Sequence, residues 1–437
     1  MVHVFANNAM QRLSMLPVLL IALAGCGHDA PAAAVPPRFV ADPVPEPYRS
    51  EQADFAVTTL VTGLVHPWGL AFLPDGGMLV TERPGRLRLI DKSGQISGPL
   101  EGVPRVFDEG QGGLLDVALS PDFGNDRLVY LSFAEPNLRG NLAGTAVARG
   151  RLEEGALREV EVVYRQEPKL SAGTHLGSRL VFDDDGHLFV TQGEHRVAAS
   201  AAQALDKLQG KLVRILPDGS IPPDNPFVGN DDARAEIWSF GHRNMQGAAL
   251  HPQTRQLWTS EHGPMGGDEL NIPQASRNYG WPLVTHGRDY DGKPVPGSVG
   301  DTAPGMEPPH HVWAVSPGLS GMVFYTGNAY PGWNGSIFVG SLTPGALVRL
   351  AMTSSRPSFS SRSARSASLR SLMSMESTKT PSGLYLPQGV ASKEAVRASS
   401  RPKKSSTNLR ATWVLRTRSA GAFECAIETI LPAARNS

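Results

Sequence analysis

Cysteine is almost missing: 437 residues hold 2, Cys26 and Cys425. The body between them has no disulfide framework, and its stability must come from a large apolar core or from metal. Net charge is missing as well, since 41 Lys+Arg balance 41 Asp+Glu, so the total favours neither nucleic acid nor an anionic membrane surface as partner. Long apolar runs are lacking too. The stretch from Leu13 to Leu23 is too short to span a bilayer as a mature helix. What abounds is glycine, 46 residues, and proline, 36. That usage suits many short strands joined by turns, and all-β propellers and barrels keep such lengths in one domain.

The charge balance hides an asymmetry: 14 of the Lys+Arg but only 4 of the Asp+Glu lie from Ala351 onward, so the body is acidic and the tail basic. At the other end, Arg12 precedes the Leu13 to Leu23 stretch, which closes on Leu23-Ala24-Gly25-Cys26. This reads as an export signal, and its end resembles the bacterial lipobox, which implies a diacylglycerol on the Cys26 thiol; an ordinary cleaved signal peptide with an incidental Cys is the plainer alternative. Residues 1–25 are then a lipoprotein signal, residues 26–54 an Ala/Pro-rich tether, and the protein sits in the periplasm or cell envelope, touching membrane only through its lipid anchor.

From Phe55 the texture changes. Five segments share a short apolar strand, a Pro/Asp/Gly turn and a second apolar strand. They begin at Gly69, Asp116, Arg179, Gly247 and Gly321, at intervals of 47, 63, 68 and 74 residues. A hairpin recurring at or above the length of a four-stranded blade indicates a propeller, and the growing intervals imply long loops on later blades. A sixth hairpin is expected and none is evident. Residues 351–437 are rich in Ser and Arg and read as a disordered tail, either a natural basic extension or the product of a shifted reading frame.

Three polar motifs each stand just ahead of a blade. Gln111 lies in a glycine loop, Gly110 to Gly113; His175 lies in Thr174 to Arg179; Arg243 and Asn244 lie in Gly241 to Gly247. Imidazole titrates near neutral pH and suits proton abstraction from a hydroxyl, while a planar guanidinium beside an amide suits a carboxylate or quinone oxygen. Taken singly, His175 reads more often as a turn or packing residue, and Arg243 equally as an inter-blade ion pair. A fourth segment runs from Ser260 to Asn271 and on to Trp281. Gly263 and Pro264 offer turn carbonyls, and Asp268 and Glu269 offer charge, as calcium requires; a merely solvated acidic loop is the plainer alternative.

In this order, the Gln111 loop, the His175 motif, His242-Arg243-Asn244, Glu261 to Pro264 with Gly267 to Asn271, and Asn278-Tyr279-Gly280-Trp281-Pro282 resemble the glucose/sorbosone dehydrogenase family over about Phe55 to Leu350. The form of the His175 motif is similar to its aldose sugar dehydrogenase branch. The resemblance implies an all-β six-bladed β-propeller, here incomplete at the last blade, that oxidises an aldose at C1 to the lactone with pyrroloquinoline quinone (PQQ) and Ca²⁺. It implies that His175 removes the hydroxyl proton while hydride passes to the quinone, and that Gln111, Arg243 and Asn244 contact cofactor or sugar. It further implies that the carbonyls of Gly263 and Pro264 bind one calcium and that Glu269 and Tyr279 hold a second; the electron acceptor stays open.

The chain departs from that pattern where Ser341-Leu342 is followed by Thr343 instead of a basic residue, and where no Arg-x-Arg-Asp stretch follows. Fewer cations for a tricarboxylate imply weaker binding, each ionic hydrogen bond being worth about 1.5–3 kcal/mol. Two other readings are a silent propeller lipoprotein that binds a glycan or protein, and a calcium-dependent propeller lactonase. The carbonyl pair at Gly263 and Pro264 together with Arg243 and Asn244 favours the quinoprotein over the lactonase.

Overall fold

A computed structural model describes residues 48–49, 54–171, 173–343, 346–352, 412–419 and 422–432. The signal, the lipidation at Cys26 and most of the tether lie outside them. Strands β1 (Tyr48–Arg49) and β2 (Asp54–Leu64) come first, and five antiparallel sheets follow in chain order. The first blade is β3 (Pro67–Phe72), β4 (Met78–Glu82), β5 (Arg86–Ile90) and β6 (Ile96–Pro99). The second is β7 (Leu114–Leu119), β8 (Leu128–Pro136), β9 (Ala143–Glu153) and β10 (Ala156–Arg165). The third is β11 (Leu180–Phe182), β12 (Leu188–Thr191), β13 (Lys211–Ile215) and β14 (Ile237–Phe240). The fourth is β15 (Met245–Leu250), β16 (Leu257–Glu261), β17 (Asp268–Asn271) and β18 (His311–Trp313). The fifth has three strands, β19 (Leu319–Phe324), β20 (Ile337–Ser341) and β21 (Ala346–Leu350).

Every hairpin anticipated from sequence opens one of these blades. Continuous apolar runs, and polar groups with internal partners, bury the second strands on both faces, as in Met78 to Glu82, Leu188 to Thr191 and Leu257 to Glu261. The first strands β3, β7, β11, β15 and β19 neighbour one another in succession and so line an axis. No helix among the described residues is long and apolar enough to cross a membrane.

The structure departs from expectation in the tail. Five blades are contiguous in the chain, and a further sheet joins its two ends in the order β1, β2, β23 (Ala422–Pro432), β22 (Thr412–Ser419). Phe55 pairs with Pro432 at one end of the β2–β23 ladder, and Leu64 with Cys425 at the other. The reading of 351–437 as wholly without strands is therefore corrected, while 353–411 lie outside the described residues. The cause is the open edge of β2, whose unpaired backbone groups are a template for another strand. β2 also joins two blades through its side chains. Phe55 packs edge-on against Trp333, 5.8 Å away, beside Tyr325 and Phe338 of the fifth blade. Val61 and Leu64 pack with Met78, Val80 and Ile90 of the first.

One polar contact gathers all five blades. The Arg179 guanidinium meets Asp116 Oδ1 at 2.8 Å, donates to the Gln246 carbonyl from Nε and Nη2 at 3.3 and 3.1 Å, and lies 4.2 Å over the Trp68 ring. A Cβ built on Gly321 would stand 3.2 Å from Arg179 Nη2, so the fifth blade abuts the same group. A buried cation, Lys211, donates to the carbonyls of Ala201, Ala202 and Gln209 at 2.8, 3.0 and 2.8 Å, and burial pushes its ammonium down to about 7. Between that value and the ordinary lysine value near 10.4 the unfolded chain binds the extra proton, so Lys211 makes stability rise with pH. Against Lys211→Met, which carries no such proton, the stability difference in urea should move in favour of the wild type on going from about pH 7 to about pH 10. A difference that does not vary with pH would mean the ammonium is solvated.

Candidate active site

Each polar motif precedes the first strand of a blade, so its side chains reach one end of the axis. At the end of β4, Arg83 donates from Nε to the Gly112 carbonyl at 2.9 Å and from Nη2 to the Gly110 carbonyl at 2.5 Å, clasping the loop on both sides of Gln111. Gly113, at φ +126°, accepts no larger residue, because a Cβ would lie 2.1 Å from the Arg83 carbonyl oxygen. Gln111 Oε1 then accepts the backbone N–H of His175 at 2.8 Å. That leaves its Nε2 to donate elsewhere.

His175 has φ +50°, a left-handed conformation uncommon outside glycine. Its Nδ1 lies 2.7 Å from Glu194 Oε2, and the two residues are 7% and 1% exposed. An ionised carboxylate only accepts, so Nδ1 carries the proton and Nε2 of the neutral ring presents its lone pair. The approach needs Gly193, where a Cβ would meet the His175 carbonyl oxygen at 1.8 Å. Glu194 was not anticipated from the sequence. A signal existed, because the second strands of the first, third and fourth blades run from a threonine to a glutamate at or just past their ends: Thr81-Glu82, Thr191 to Glu194, and Thr259-Ser260-Glu261.

Arg243 is 5% exposed and held on every side. Its N–H donates to Glu261 Oε2 at 2.8 Å, its carbonyl accepts from Glu194 N–H at 3.1 Å, and Nη1 donates to the His262 carbonyl at 3.1 Å. The guanidinium lies 5.1 Å over Trp281, and its Nε is buried without a partner. Asn244 Oδ1 accepts from Gly177 N–H at 3.1 Å and Gln246 Nε2 at 3.0 Å, which fixes the amide and leaves Nδ2 as donor. Gln111, His175, Arg243 and Asn244 are thus tied into one hydrogen-bonded group from three blades.

The fourth segment divides. Asp268, offered above as charge for a cation, is occupied: it accepts from Gly263 N–H at 3.0 Å, Ser316 Oγ at 2.6 Å, Gly318 N–H at 3.0 Å and Leu319 N–H at 3.3 Å. These bonds shape the turn. Among the described residues no donor pairs with the carbonyl oxygens of Gly263, Pro264 or Tyr279. The Tyr279 hydroxyl, by contrast, donates to the Ile272 carbonyl at 2.8 Å and accepts from Gln274 N–H at 3.0 Å, and burial pushes it up to about 12. If Tyr279 serves a cation, it does so through its backbone.

Glu269 pairs across the sheet with Glu261, and Asn271 Nδ2 reaches both, at 3.2 and 2.9 Å. Burial, then the charge of Glu261, pushes the Glu269 carboxyl up to about 8. Burial acts upward on Glu261 as well, but His242, whose Nδ1 lies 3.1 Å from its Oε1, and the backbone N–H of Arg243 outweigh it, and Glu261 titrates below its usual range. Asn271 Oδ1 and Thr259 Oγ1, on the same cross-strand pair, are buried without partners. The His242 ring stacks on Tyr279 at 4.8 Å and joins the two groups. Elsewhere Asp183, Asp185 and His187 cluster in the β11–β12 turn, where Asp183 Oδ1 already accepts the N–H groups of Asp185 and His187.

A model of the glucose/sorbosone dehydrogenase family matches residues 64–374. The chain is 51% identical to the aldose sugar dehydrogenase YliI of Escherichia coli over 65% of this chain and 77% of that protein. Among solved structures it is similar to the apo form of the soluble aldose sugar dehydrogenase of Escherichia coli, with 48% identity, a TM-score of 0.67, and 69% and 87% of the two chains covered. It is also similar to the PQQ-bound form of the aldose sugar dehydrogenase of Streptomyces coelicolor, with 26% identity, a TM-score of 0.59, and 86% and 99% covered. With its propeller arrangement and the conjunction of Gln111, His175, Arg243 and Asn244, the chain belongs to the glucose/sorbosone dehydrogenase family.

Proposed function

We propose that this protein oxidises the C1 hydroxyl of an aldose to the lactone, with PQQ as cofactor and Ca²⁺ beside it. The observation that carries the reading is the buried His175–Glu194 pair hydrogen-bonded into the same group as Arg243 and Asn244. The residues fit the cofactor: Arg243 has a buried Nε without a partner, Asn244 Nδ2 and Gln111 Nε2 are oriented as donors, and the carbonyls of Gly263 and Pro264 are unused by other donors among the described residues. When bound, PQQ supplies a two-electron acceptor, and calcium polarises it. His175 takes the hydroxyl proton on Nε2. Glu194 holds the tautomer that leaves this nitrogen free and stabilises the ring once charged. Arg243 and Asn244 bind carboxylate and carbonyl oxygens and, being hydrogen-bonded through both backbone and side chain, need little reordering to do so.

Glu269, the Tyr279 carbonyl, Glu261 and Asn271 Oδ1 would hold the second calcium. A buried carboxylate, Glu261, and a half-buried one, Glu269, beside two orphaned oxygens are what such an ion satisfies. The sequence at Cys26 adds a lipid anchor in the cell envelope to this reading. The test is to add PQQ in excess and Ca²⁺ to the purified protein and follow dye reduction with a panel of aldoses; no reduction by any of them would refute it. Metal that binds only the folded chain raises its melting temperature. At about 100 times the dissociation constant the gain is about 2.7 kcal/mol, a shift of several degrees. Calorimetry with chelator and then millimolar Ca²⁺ should show this rise, smaller in Glu269→Gln; identical curves would remove calcium from the account.

A further inference from the structure

His175 and Arg243 are buried, and a pair of exposed side chains from two blades overhangs them. Tyr290 stands in the long segment between β17 and β18, in a turn closed by Asp289 N–H to the Lys293 carbonyl at 2.8 Å, Tyr290 N–H to Asp289 Oδ1 at 2.7 Å and Lys293 N–H to Asp291 Oδ1 at 2.8 Å. The base of the turn is fixed where Met265 and Arg288 exchange backbone hydrogen bonds at 2.8 and 3.1 Å, next to Gly263 and Pro264. The Tyr290 hydroxyl accepts from Arg243 Nη2 at 3.4 Å. From the third blade, Arg196 donates its N–H to Glu194 Oε2 at 2.6 Å, and its guanidinium lies 5.2 Å over the Tyr290 ring. His195 and Arg196 both take positive φ, 61° and 62°, to put it there.

The pair is therefore anchored at one end to the carboxylate that orients the base and at the other to the buried cation. It is open to solvent: Tyr290 is 56% exposed, and Val197 and Met265, which adjoin Arg196 and the base of the turn, are 62% and 48% exposed. Arg243 would hold a cofactor's carboxylate. A molecule whose C1 hydroxyl reaches His175 would extend toward the exposed Tyr290 and Arg196 side chains.

We propose that Tyr290 and Arg196 form the sugar-binding wall of this site and set which aldoses it accepts. The ring face of Tyr290 turned away from Arg196 carries the C–H face of the pyranose, as aromatic rings carry other apolar surface, and the Arg196 guanidinium donates to hydroxyls remote from C1. The proposal rests on the dehydrogenase reading and names its specificity residues.

It is tested on the full chain with saturating PQQ and Ca²⁺. Tyr290→Ala should raise KM for glucose about tenfold with kcat nearly unchanged, the signature of lost ground-state binding, and Tyr290→Trp should restore KM. Arg196→Met should change the kcat/KM ratio between glucose and its epimers galactose and mannose by about fivefold. PQQ titrated by absorbance should bind all variants alike. KM and epimer ratios unchanged throughout would overturn the proposal, and so would weakened PQQ binding with KM unchanged, which would make Tyr290 a cofactor lid. Saturation-transfer NMR with glucose supplies a readout free of turnover. Should the protein oxidise no aldose, the dehydrogenase reading falls; transfer to glucose that Tyr290→Ala abolishes still supports the wall, and transfer that survives refutes it.

Discussion

Replacing His175 by alanine should lower aldose oxidation by about 10² to 10⁴ at saturating PQQ, the usual contribution of a positioned general base, while the cofactor still binds. The separation follows from geometry. His175 meets Glu194 through Nδ1 and Gln111 through its backbone, whereas the donors suited to the cofactor belong to Arg243 and Asn244. Deleting the imidazole removes the proton acceptor and leaves those donors in place. Glu194→Gln tests the same pair from the other side. An amide can donate to Nδ1 and force the ring into the tautomer with its proton on Nε2, so a loss of up to about 10⁴ is expected from a change of one atom type. Initial rates of dye reduction, with bound PQQ measured by absorbance, decide the matter. Wild-type turnover in His175→Ala would remove it as base, and full activity in Glu194→Gln would show that its tautomer does not matter.

What sequence made legible, and what it hid, divides by the range over which the physics acts. The five hairpins were visible because a buried second strand and a turn of Pro, Asp and Gly are local features, and all five begin blades. The placement of Gln111, His175 and Arg243 at one end was visible for the same reason, each lying just ahead of a first strand. Glu194 was hidden because its partner is 19 residues away. Only the recurring threonine-to-glutamate ends of second strands pointed to it. Asp268 looked like a metal ligand because a carboxylate beside glycines suits cations and backbone N–H groups equally, and here the N–H groups take it. The tail was misjudged on composition: in Ala422 to Leu431, Phe423, Cys425 and Ile427 alternate with Glu424, Ala426 and Glu428, a strand pattern outweighed by the Ser and Arg that precede it.

The largest change in stability should come from Arg179, the group on which all five blades meet. Asp116 is 4% exposed, with Oδ2 accepting Leu180 N–H at 2.9 Å and Oδ1 facing Arg179 at 2.8 Å. Burial raises the Asp116 carboxyl above its usual range even with Arg179 pulling the other way. Arg179→Met keeps much of the volume over Trp68 but removes the compensation, and breaking a buried pair from one side costs about 3–5 kcal/mol. That is a large fraction of the roughly 5–15 kcal/mol that holds a typical fold. The sign of the pH dependence identifies the cause. A carboxyl with a raised folded-state value binds its proton more tightly in the native state, so stability falls as pH rises from the unfolded value toward the folded one. Without Arg179 the folded value climbs further, and Arg179→Met should lose stability over a wider span toward neutral pH than the wild type. Adding Asp116→Asn removes the titrating group: the double variant should regain part of the loss and show a flatter pH profile, a coupling that additive effects do not produce. Urea unfolding of the four proteins at about pH 5 and about pH 8 measures all of this. Additive losses with parallel pH profiles would mean that the axial pair is solvated and that the blades are held together by their apolar faces alone.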